Sequence, residues 1–245
     1  ASSGERWSLL LPTSHIAGLN VLIRSIELGT EPVGVDSKAD YSAIVPTQLH
    51  RALNGDKALL EHLKNCKAVL IGGGPLDQSL KDSGANSGIN IDTTYGMTET
   101  SGGVVWDGKT LGEVKLRIEN PANGGAGRIS INSPSNATCY HGNSEGIKKL
   151  NQITFNNGWV MTQDIGTYEN ATLKVIGRSD DIVVSGGVNV SVHAVENVLR
   201  DQDGVEDAVV FAMPDKTWGT IIAAVIVGNA DLLKLPDAVE KELGS

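Results

Sequence analysis

The densest chemistry in the chain lies between Thr93 and Thr100. The string Thr93-Thr94-Tyr95-Gly96-Met97-Thr98-Glu99-Thr100 puts hydroxyls, one aromatic ring and one carboxylate within eight residues. Tyr95 can stack a base, Thr98 can donate to a phosphate or carboxylate oxygen, and Glu99 can hold Mg²⁺. A plainer reading makes this a helix start, with Thr98 or Thr100 as N-cap and Glu99 in the first turn. Residue types alone leave the two readings level. Upstream, Leu70-Ile71-Gly72-Gly73-Gly74-Pro75 reads as a buried strand ending in three glycines, with the proline at a first helical position. Glycines there let a planar or phosphorylated ligand approach the backbone, although a tight strand-to-helix turn needs no ligand at all. The spacing matches neither G-x-G-x-x-G, because position 77 is Asp, nor G-x-x-x-x-G-K-[ST]. A third segment, Gly158 to Gly166, is expected to be a loop carrying Asp164, a carboxylate suited to a pair of vicinal ribose hydroxyls. Arg178 follows and can return to the same sugar or to a phosphate. The bland alternatives are a turn aspartate for Asp164 and, for Arg178–Asp181, a surface ion pair worth little.

The elements that must position these residues are legible as alternation and periodicity. Three apolar runs, Trp7–Leu11, Tyr41–Val45 and Ala68–Ile71, read as strands. Between them, Ala17–Leu28 reads as a helix with Leu19, Leu22, Ile23 and Ile26 on its buried stripe. Gln48–Leu63 reads as a second helix, cut in two at Asn54-Gly55-Asp56. Strands alternating with helices predict α/β layering on a largely parallel sheet. From Leu111 to Ile131 the texture becomes alternating strands around a Gly124-Gly125 turn, a small β subregion. After Arg178–Asp181, where we place a domain boundary, come the alternating Val188, Val190 and Val192 and a helix from His193 to Arg200. Strands at Glu206–Met213 and Ile221–Val227 and a helix from Pro236 complete a small α+β unit.

Composition narrows the partners. The 245 residues allow one large domain, or one domain and a smaller one. Lys plus Arg total 20 against 29 Asp plus Glu, a net charge of −9, which is a poor match to the phosphate backbone of nucleic acid. Cys66 and Cys139 are isolated, and the five histidines never fall at metal-ligand spacing. The most apolar stretch, Ile221 to Val227, is too short to cross a bilayer. These features lead us to expect a cytoplasmic protein that handles metabolites and engages neither nucleic acid nor membrane. Glycine is over-represented at 29 residues, about 12 % against a usual share of about 7 %. We expect the glycines at 72–74, 96, 102–103, 166, 177 and 186–187 in loops that a nucleotide or a thin ligand arm approaches.

Taken in order, the motifs resemble the adenylate-forming superfamily of acyl-CoA synthetases and peptide-synthetase adenylation domains. They are Pro12-Thr13-Ser14-His15-Ile16-Ala17-Gly18-Leu19, Val45-Pro46-Thr47, Gly72-Gly73-Gly74-Pro75, Tyr95-Gly96-Met97-Thr98-Glu99, Thr162-Gln163-Asp164, Gly177-Arg178-Ser179-Asp180, Ser185-Gly186-Gly187-Val188-Asn189 and Trp218-Gly219. The His-Ile-Ala-Gly-Leu string and the Gly-Gly-Gly-Pro loop most resemble the o-succinylbenzoate–CoA ligases of menaquinone biosynthesis. The resemblance implies the adenylate-forming α/β fold. Residues 1–178 would be part of a large layered N-terminal domain with a small β subregion. Residues 179–245 would be a small α+β C-terminal domain, truncated at its end. It implies ATP, Mg²⁺ and coenzyme A acting with a small carboxylic acid, and dimerisation, common among such ligases, makes a homodimer the corresponding assembly.

Residue by residue, the resemblance implies that Gly72, Gly73, Gly74, Tyr95 and Gly96 frame the adenine, with Thr94 near its edge. Thr98 would contact α-phosphate or carboxylate oxygens and Glu99 the Mg²⁺. Asp164 and Arg178 would hold the ribose, and His15 would sit where acyl carboxylate and adenylate meet. Asp180 would be a hinge, and the Ser185-Gly186-Gly187 loop would line a pantetheine channel. The resemblance also implies a Ser/Thr/Gly-rich phosphate loop before His15 and a late catalytic lysine after the final helix. Neither is in the sequence, so we expect the natural polypeptide to be longer. Gln163 stands where the family usually has glycine. The rival readings are another aryl- or acyl-CoA ligase and a nucleotide- or acyl-adenylate-binding remnant without catalysis. A dehydrogenase resting on Gly72–Gly74 is disfavoured, because no acidic residue follows at the required place.

Overall fold

The computed structural model describes residues 2–121, 125–185, 188–215 and 217–243. In the first half the apolar runs assemble in chain order into a six-stranded sheet. It is built from β1 (Trp7–Ser8), β2 (Tyr41–Ile44), β3 (Ala68–Ile71), β4 (Ile91–Met97), β5 (Gly102–Trp106) and β6 (Lys109–Thr110). The first four are parallel, with Trp7 beside Tyr41, Tyr41 beside Ala68 and Val69 beside Ile91; β5 and β6 run antiparallel. The crossovers carry α1 (Ile16–Leu28), α2 (Pro46–Leu53), α3 (Lys57–Lys64) and α4 (Gln78–Asn86).

Successive residues of a strand face opposite ways, and β2 and β3 use both faces. Ile44, Val69 and Ile71 pack with Leu49, Leu59 and Leu63 of α2 and α3. Ala43 and Leu70 pack on the other side with Trp7 and Val21 of α1. Burial on both faces explains why these strands read as continuous apolar runs. The break between α2 and α3 falls at Asn54-Gly55-Asp56 as expected, with Gly55 at φ 130° and the Asp56 carboxylate accepting from the Leu59 N–H at 3.1 Å.

Two expectations for this region are corrected. The face of α1 that packs inward is Gly18, Val21 and Ser25, while Leu19, Ile23 and Ile26 stand 42 %, 46 % and 76 % exposed. Small residues flank Val21 because the chain lies close there: a Cβ on Gly18 would sit 2.2 Å from the Pro12 carbonyl oxygen. Nor does Pro75 open α4, which starts at Gln78 with the Asp77 carboxylate accepting from the Ser79 N–H.

The β subregion contains β7 (Lys115–Glu119), β8 (Gly127–Asn132), β9 (Phe155–Asn156), β10 (Trp159–Glu169) and β11 (Thr172–Arg178), with α5 (Glu145–Thr154) inserted before β9. The sheet order is β11-β10-β8-β7, with β9 paired to β10. Ile129, Ile131 and Val160 are fully buried. Asp164 therefore lies in an eleven-residue strand, contrary to the loop expected for Gly158–Gly166. The remaining elements are β12 (Ile182–Ser185), β13 (Val188–Ser191), α6 (Val192–Arg200), β14 (Val205–Asp215), β15 (Gly219–Gly228) and α7 (Leu235–Leu243). Ala208 and Val210 of β14 pack with Val195 and Leu199 of α6 and with Leu235. The Ser191 hydroxyl caps α6 by accepting from the Ala194 N–H.

The chain divides into two compact units, 1–117 with 130–161 and 168–173, and 118–129 with 162–167 and 174–245. No helix among the described residues is long and apolar enough to cross a membrane.

Candidate functional site

In the first unit the chemistry gathers where β4 outruns its parallel neighbour. Pairing with β3 ends at Thr93 opposite Ile71, and β4 continues to Met97 beside β5 alone, with a bulge between Tyr95 and Gly96. Thr93–Met97 is thus strand, where the sequence suggested a loop. Its polar residues hide that identity because they occupy an edge. Gly72–Gly74 leaves β3 beside this extension. A Cβ on Gly72 would meet Thr94 Oγ1 at 2.3 Å, and one on Gly103 would meet Thr94 Cβ at 3.1 Å. Thr94 is therefore seated between two glycines.

The glycines expected in ligand-lined loops divide by what their missing side chains do. Gly96 lets β4 and β5 cross, since its Cβ would lie 2.0 Å from the Gly102 carbonyl oxygen. Gly96, Gly102, Gly103, Gly166 and Gly177 all lie within strands, a correction to the loop assignment. Gly166 makes room for Lys174 O and Ile129. At Gly74 a Cβ would meet only Pro46 ring atoms at 3.9 Å, so the fold itself makes no demand for a missing side chain there.

The hydroxyls divide in the same way. Thr93 spends its hydroxyl on Asp107 Oδ1 at 2.7 Å, a carboxylate that also takes the Thr93 N–H and the Lys81 ammonium. Thr100 is fully buried, accepts from the Met97 N–H at 3.0 Å and lies 2.8 Å from the Gly102 carbonyl oxygen. It closes a 3₁₀ turn, Thr98–Thr100, in which Thr98 is exposed and Glu99 half-buried. So the capping role belongs to Thr100, and the Thr98 side chain faces outward. His15 is the exposed N-cap of α1, with no side-chain capping bond. One turn later Asn20 Nδ2 donates to the Ser101 carbonyl oxygen at 2.8 Å, which ties α1 to the end of the Thr98–Thr100 turn.

Sequence reasoning missed Tyr140. Its hydroxyl donates to Glu99 Oε1, and its ring packs edge-on against Phe155 at 5.1 Å. Burial, and then the Glu99 carboxylate, push its phenol up to about 12. No spacing rule connects positions 99 and 140, so nothing short of the tertiary fold announces the pair.

In the second unit, Asp164 and Arg178 come together as an ion pair, with Arg178 Nη1 3.6 Å from Asp164 Oδ1. Their residue types pointed both towards one sugar and gave no sign that they pair with each other. Asp164 is buried and Arg178 half-exposed. The Asp164 N–H donates to the Thr162 hydroxyl at 3.0 Å, and that hydroxyl donates to the Ile129 carbonyl oxygen at 2.8 Å, which fixes the backbone under the carboxylate. Gln163 Oε1 accepts from the Ser179 hydroxyl at 2.9 Å, so the atypical residue at this position has a partner of its own. Asp180 lies in the 3₁₀ turn Ser179–Asp181 that follows β11. Gly186 and Gly187 lie outside the described residues. Trp218 is 61 % exposed on a turn held by Asp215, which accepts from the Thr217 and Trp218 N–H groups at 2.8 Å each. Arg24 stacks over Trp7 at 4.8 Å.

Residues 194–245 match the AMP-binding enzyme C-terminal domain family. A probable 2-succinylbenzoate–CoA ligase from Mycobacterium tuberculosis is 35 % identical over an alignment of 246 positions, covering 91 % of this chain and 61 % of that protein. The o-succinylbenzoate coenzyme A synthetase of Bacillus subtilis, in complex with ATP and magnesium ion, superposes with a TM-score of 0.81 at 27 % identity, over 99 % of this chain and 56 % of that one. The same enzyme with its acyl-adenylate intermediate gives a TM-score of 0.80 at 26 % identity, over 99 % and 55 %. The chain belongs to the adenylate-forming superfamily and has its fold. Within that superfamily it is similar to the 2-succinylbenzoate–CoA ligases, and it spans 61 % of the length of the mycobacterial relative.

Proposed function

We propose that the protein is an ATP-dependent acid–CoA ligase and that its acid is o-succinylbenzoate. The observation that carries this reading is the exposed Thr98 next to half-buried Glu99 on the turn that ends β4, the strand whose Thr94 abuts Gly72, in a chain 35 % identical to a probable ligase of that acid. In the first half-reaction a carboxylate oxygen of the acid attacks the α-phosphorus of ATP. The bond to the bridging oxygen breaks, and pyrophosphate leaves with the electron pair. In the second, the CoA sulfur attacks the activated carbonyl and AMP leaves. Neither step needs an enzyme nucleophile, and electrostatic stabilisation of the crowded phosphorus centre carries the first.

The roles proposed are those the family resemblance implies. Gly72–Gly74, Tyr95 and Gly96 frame the adenine, with Thr94 at its edge, and Gly74 supplies the clearance. The Thr98 hydroxyl donates to α-phosphate or carboxylate oxygens, and His15 lies near the junction of acid and adenylate. Asp164 takes the ribose hydroxyls, oriented by Arg178. The resemblance further assigns residues 1–178 to part of the large domain and 179–245 to the small one, with Asp180 as hinge and Gly186 and Gly187 serving the pantetheine arm.

Among the described residues no three His, Cys, Asp or Glu side chains cluster as a metal cage. One half-buried carboxylate next to an exposed hydroxyl suits a cation that keeps most of its ligands as water and phosphate oxygens, which is the habit of Mg²⁺. Glu99 would hold it, and when bound it neutralises phosphate charge. This reading places the protein in menaquinone biosynthesis, in the cytoplasm.

The test is pyrophosphate release by the full-length protein with ATP and o-succinylbenzoate, followed by thioester formation on adding CoA. Benzoates and long-chain acids should be poorer substrates. ATP binding without pyrophosphate release would replace the ligase reading with that of a binding protein. Preference for another acid would overturn the substrate.

A further inference from the structure

The segment between β8 and α5 is fastened to the Thr98–Ser101 turn at Ser135, Ala137 and Tyr140. Ser101 Oγ donates to the Ser135 carbonyl oxygen at 2.8 Å, and Ser135 Oγ donates back to the Thr100 carbonyl oxygen at 2.9 Å. The Ala137 N–H donates to the Glu99 carbonyl oxygen at 2.8 Å. The strap ends at Tyr140, whose backbone is clamped on both sides by one side chain. Its N–H donates to Asn151 Oδ1 at 2.6 Å, and Asn151 Nδ2 donates to its carbonyl oxygen at 3.0 Å. The ring is wedged against Phe155. Everything about Tyr140 is thereby fixed except the hydroxyl proton, which goes to Glu99 Oε1.

We propose that Tyr140 is a positioning residue. By holding Oε1 of Glu99 it fixes the carboxylate rotamer and leaves Oε2 presented to a divalent cation. A partner that orients a metal-binding carboxylate is worth about 10–100-fold in metal affinity. The inference rests on Glu99 as the cation ligand.

Tyr140→Phe keeps the ring and its packing on Phe155 and removes only the donor. The experiment measures Mn²⁺ affinity of the full-length protein with ATP present, from the EPR signal of free Mn²⁺, for the wild type, Tyr140→Phe and Glu99→Gln. Alongside it run the Mg²⁺ dependence of pyrophosphate formation and the rate of CoA attack on preformed acyl-adenylate. The expected result is about tenfold weaker Mn²⁺ binding in Tyr140→Phe, with a matching rise in the Mg²⁺ needed for adenylation and an unchanged thioester step. Wild-type Mn²⁺ affinity in Tyr140→Phe, with weakened binding in Glu99→Gln, overturns the positioning role and leaves Glu99 as ligand. Equal slowing of both half-reactions with unchanged Mn²⁺ affinity also overturns it, because a general structural defect does that. Unchanged affinity in both variants removes Glu99 as ligand and this inference with it.

Discussion

Replacing Gly96 by alanine isolates a purely steric demand of the fold. The new Cβ would lie 2.0 Å from Gly102 O, 2.7 Å from Gly102 C and 2.7 Å from Gly103 Cα, all backbone atoms with no flexible end to swing away. Restoring ordinary contact requires β5 to retreat by roughly 1.4 Å, which the strand spacing of about 4.8 Å does not allow without breaking pairing. Two ladder bonds at about 1 kcal/mol each, and about 1 kcal/mol of overpacking, give a loss near 3 kcal/mol. For a chain of this size that lowers the melting temperature by roughly 6–12 °C. Gly74→Ala is the internal control, because its Cβ would touch only Pro46 at 3.9 Å. It should change stability by less than about 0.5 kcal/mol, while raising the KM for ATP if the nucleotide uses that clearance. Thermal unfolding of the two variants followed by circular dichroism reads both numbers. A Gly96→Ala variant within about 1 kcal/mol of wild type, or a Gly74→Ala variant as damaged as Gly96→Ala, would refute the reasoning.

Other outcomes follow from the same structure. Asp164→Asn should cost less than about 1 kcal/mol of stability, because Arg178 is half in solvent. It should raise the KM for ATP about 10–100-fold through loss of a charged hydrogen bond, and an unchanged KM removes Asp164 from the ribose site. The two-residue turn joining β10 to β11 holds Asn170 at φ 49° and Ala171 at φ 56°. Ala171→Gly should therefore stabilise the protein by about 1 kcal/mol, read as a rise in melting temperature. Glu5 is held down to about 2 from 4.5, first by the Lys67 ammonium and then by the Ser2 N–H and the Tyr41 hydroxyl. A depressed carboxyl stabilises the fold fully above pH 4.5 and loses that contribution as pH falls towards 2. Acid unfolding should accordingly be shallower in Lys67→Met over that interval, and parallel curves would contradict it.

Much of this architecture was legible because single segments carry it. β2 and β3 announce themselves as apolar runs because helices cover both their faces, and the α2–α3 break announces itself through Asn54-Gly55-Asp56. What stayed hidden depends on a distant partner. Thr93–Met97 becomes strand only because Gly102–Trp106 returns to pair with it. The buried face of α1 was misread because apolar content favoured Leu19, Ile23 and Ile26, whereas close approach to Pro12 selected Gly18, Val21 and Ser25. Asp164 and Arg178 were singled out by residue type for one sugar, but their pairing with each other was not foreseen. Tyr140 was not singled out at all, since a lone tyrosine before α5 carries no spacing signal towards Glu99.

The strap between β8 and α5 bears on how such proteins can be recombined. A crossover anywhere between residues 101 and 133 takes the carboxylate from one parent and the hydroxyl that holds it from another. The Thr98–Thr100 motif itself would survive such a splice. The chimera's inheritance would be split all the same, since Glu99, Tyr140 and Asn151 behave as one heritable block. Junctions placed before β4 or after β9 keep that block whole, and libraries cut there should retain adenylation more often than those cut inside it.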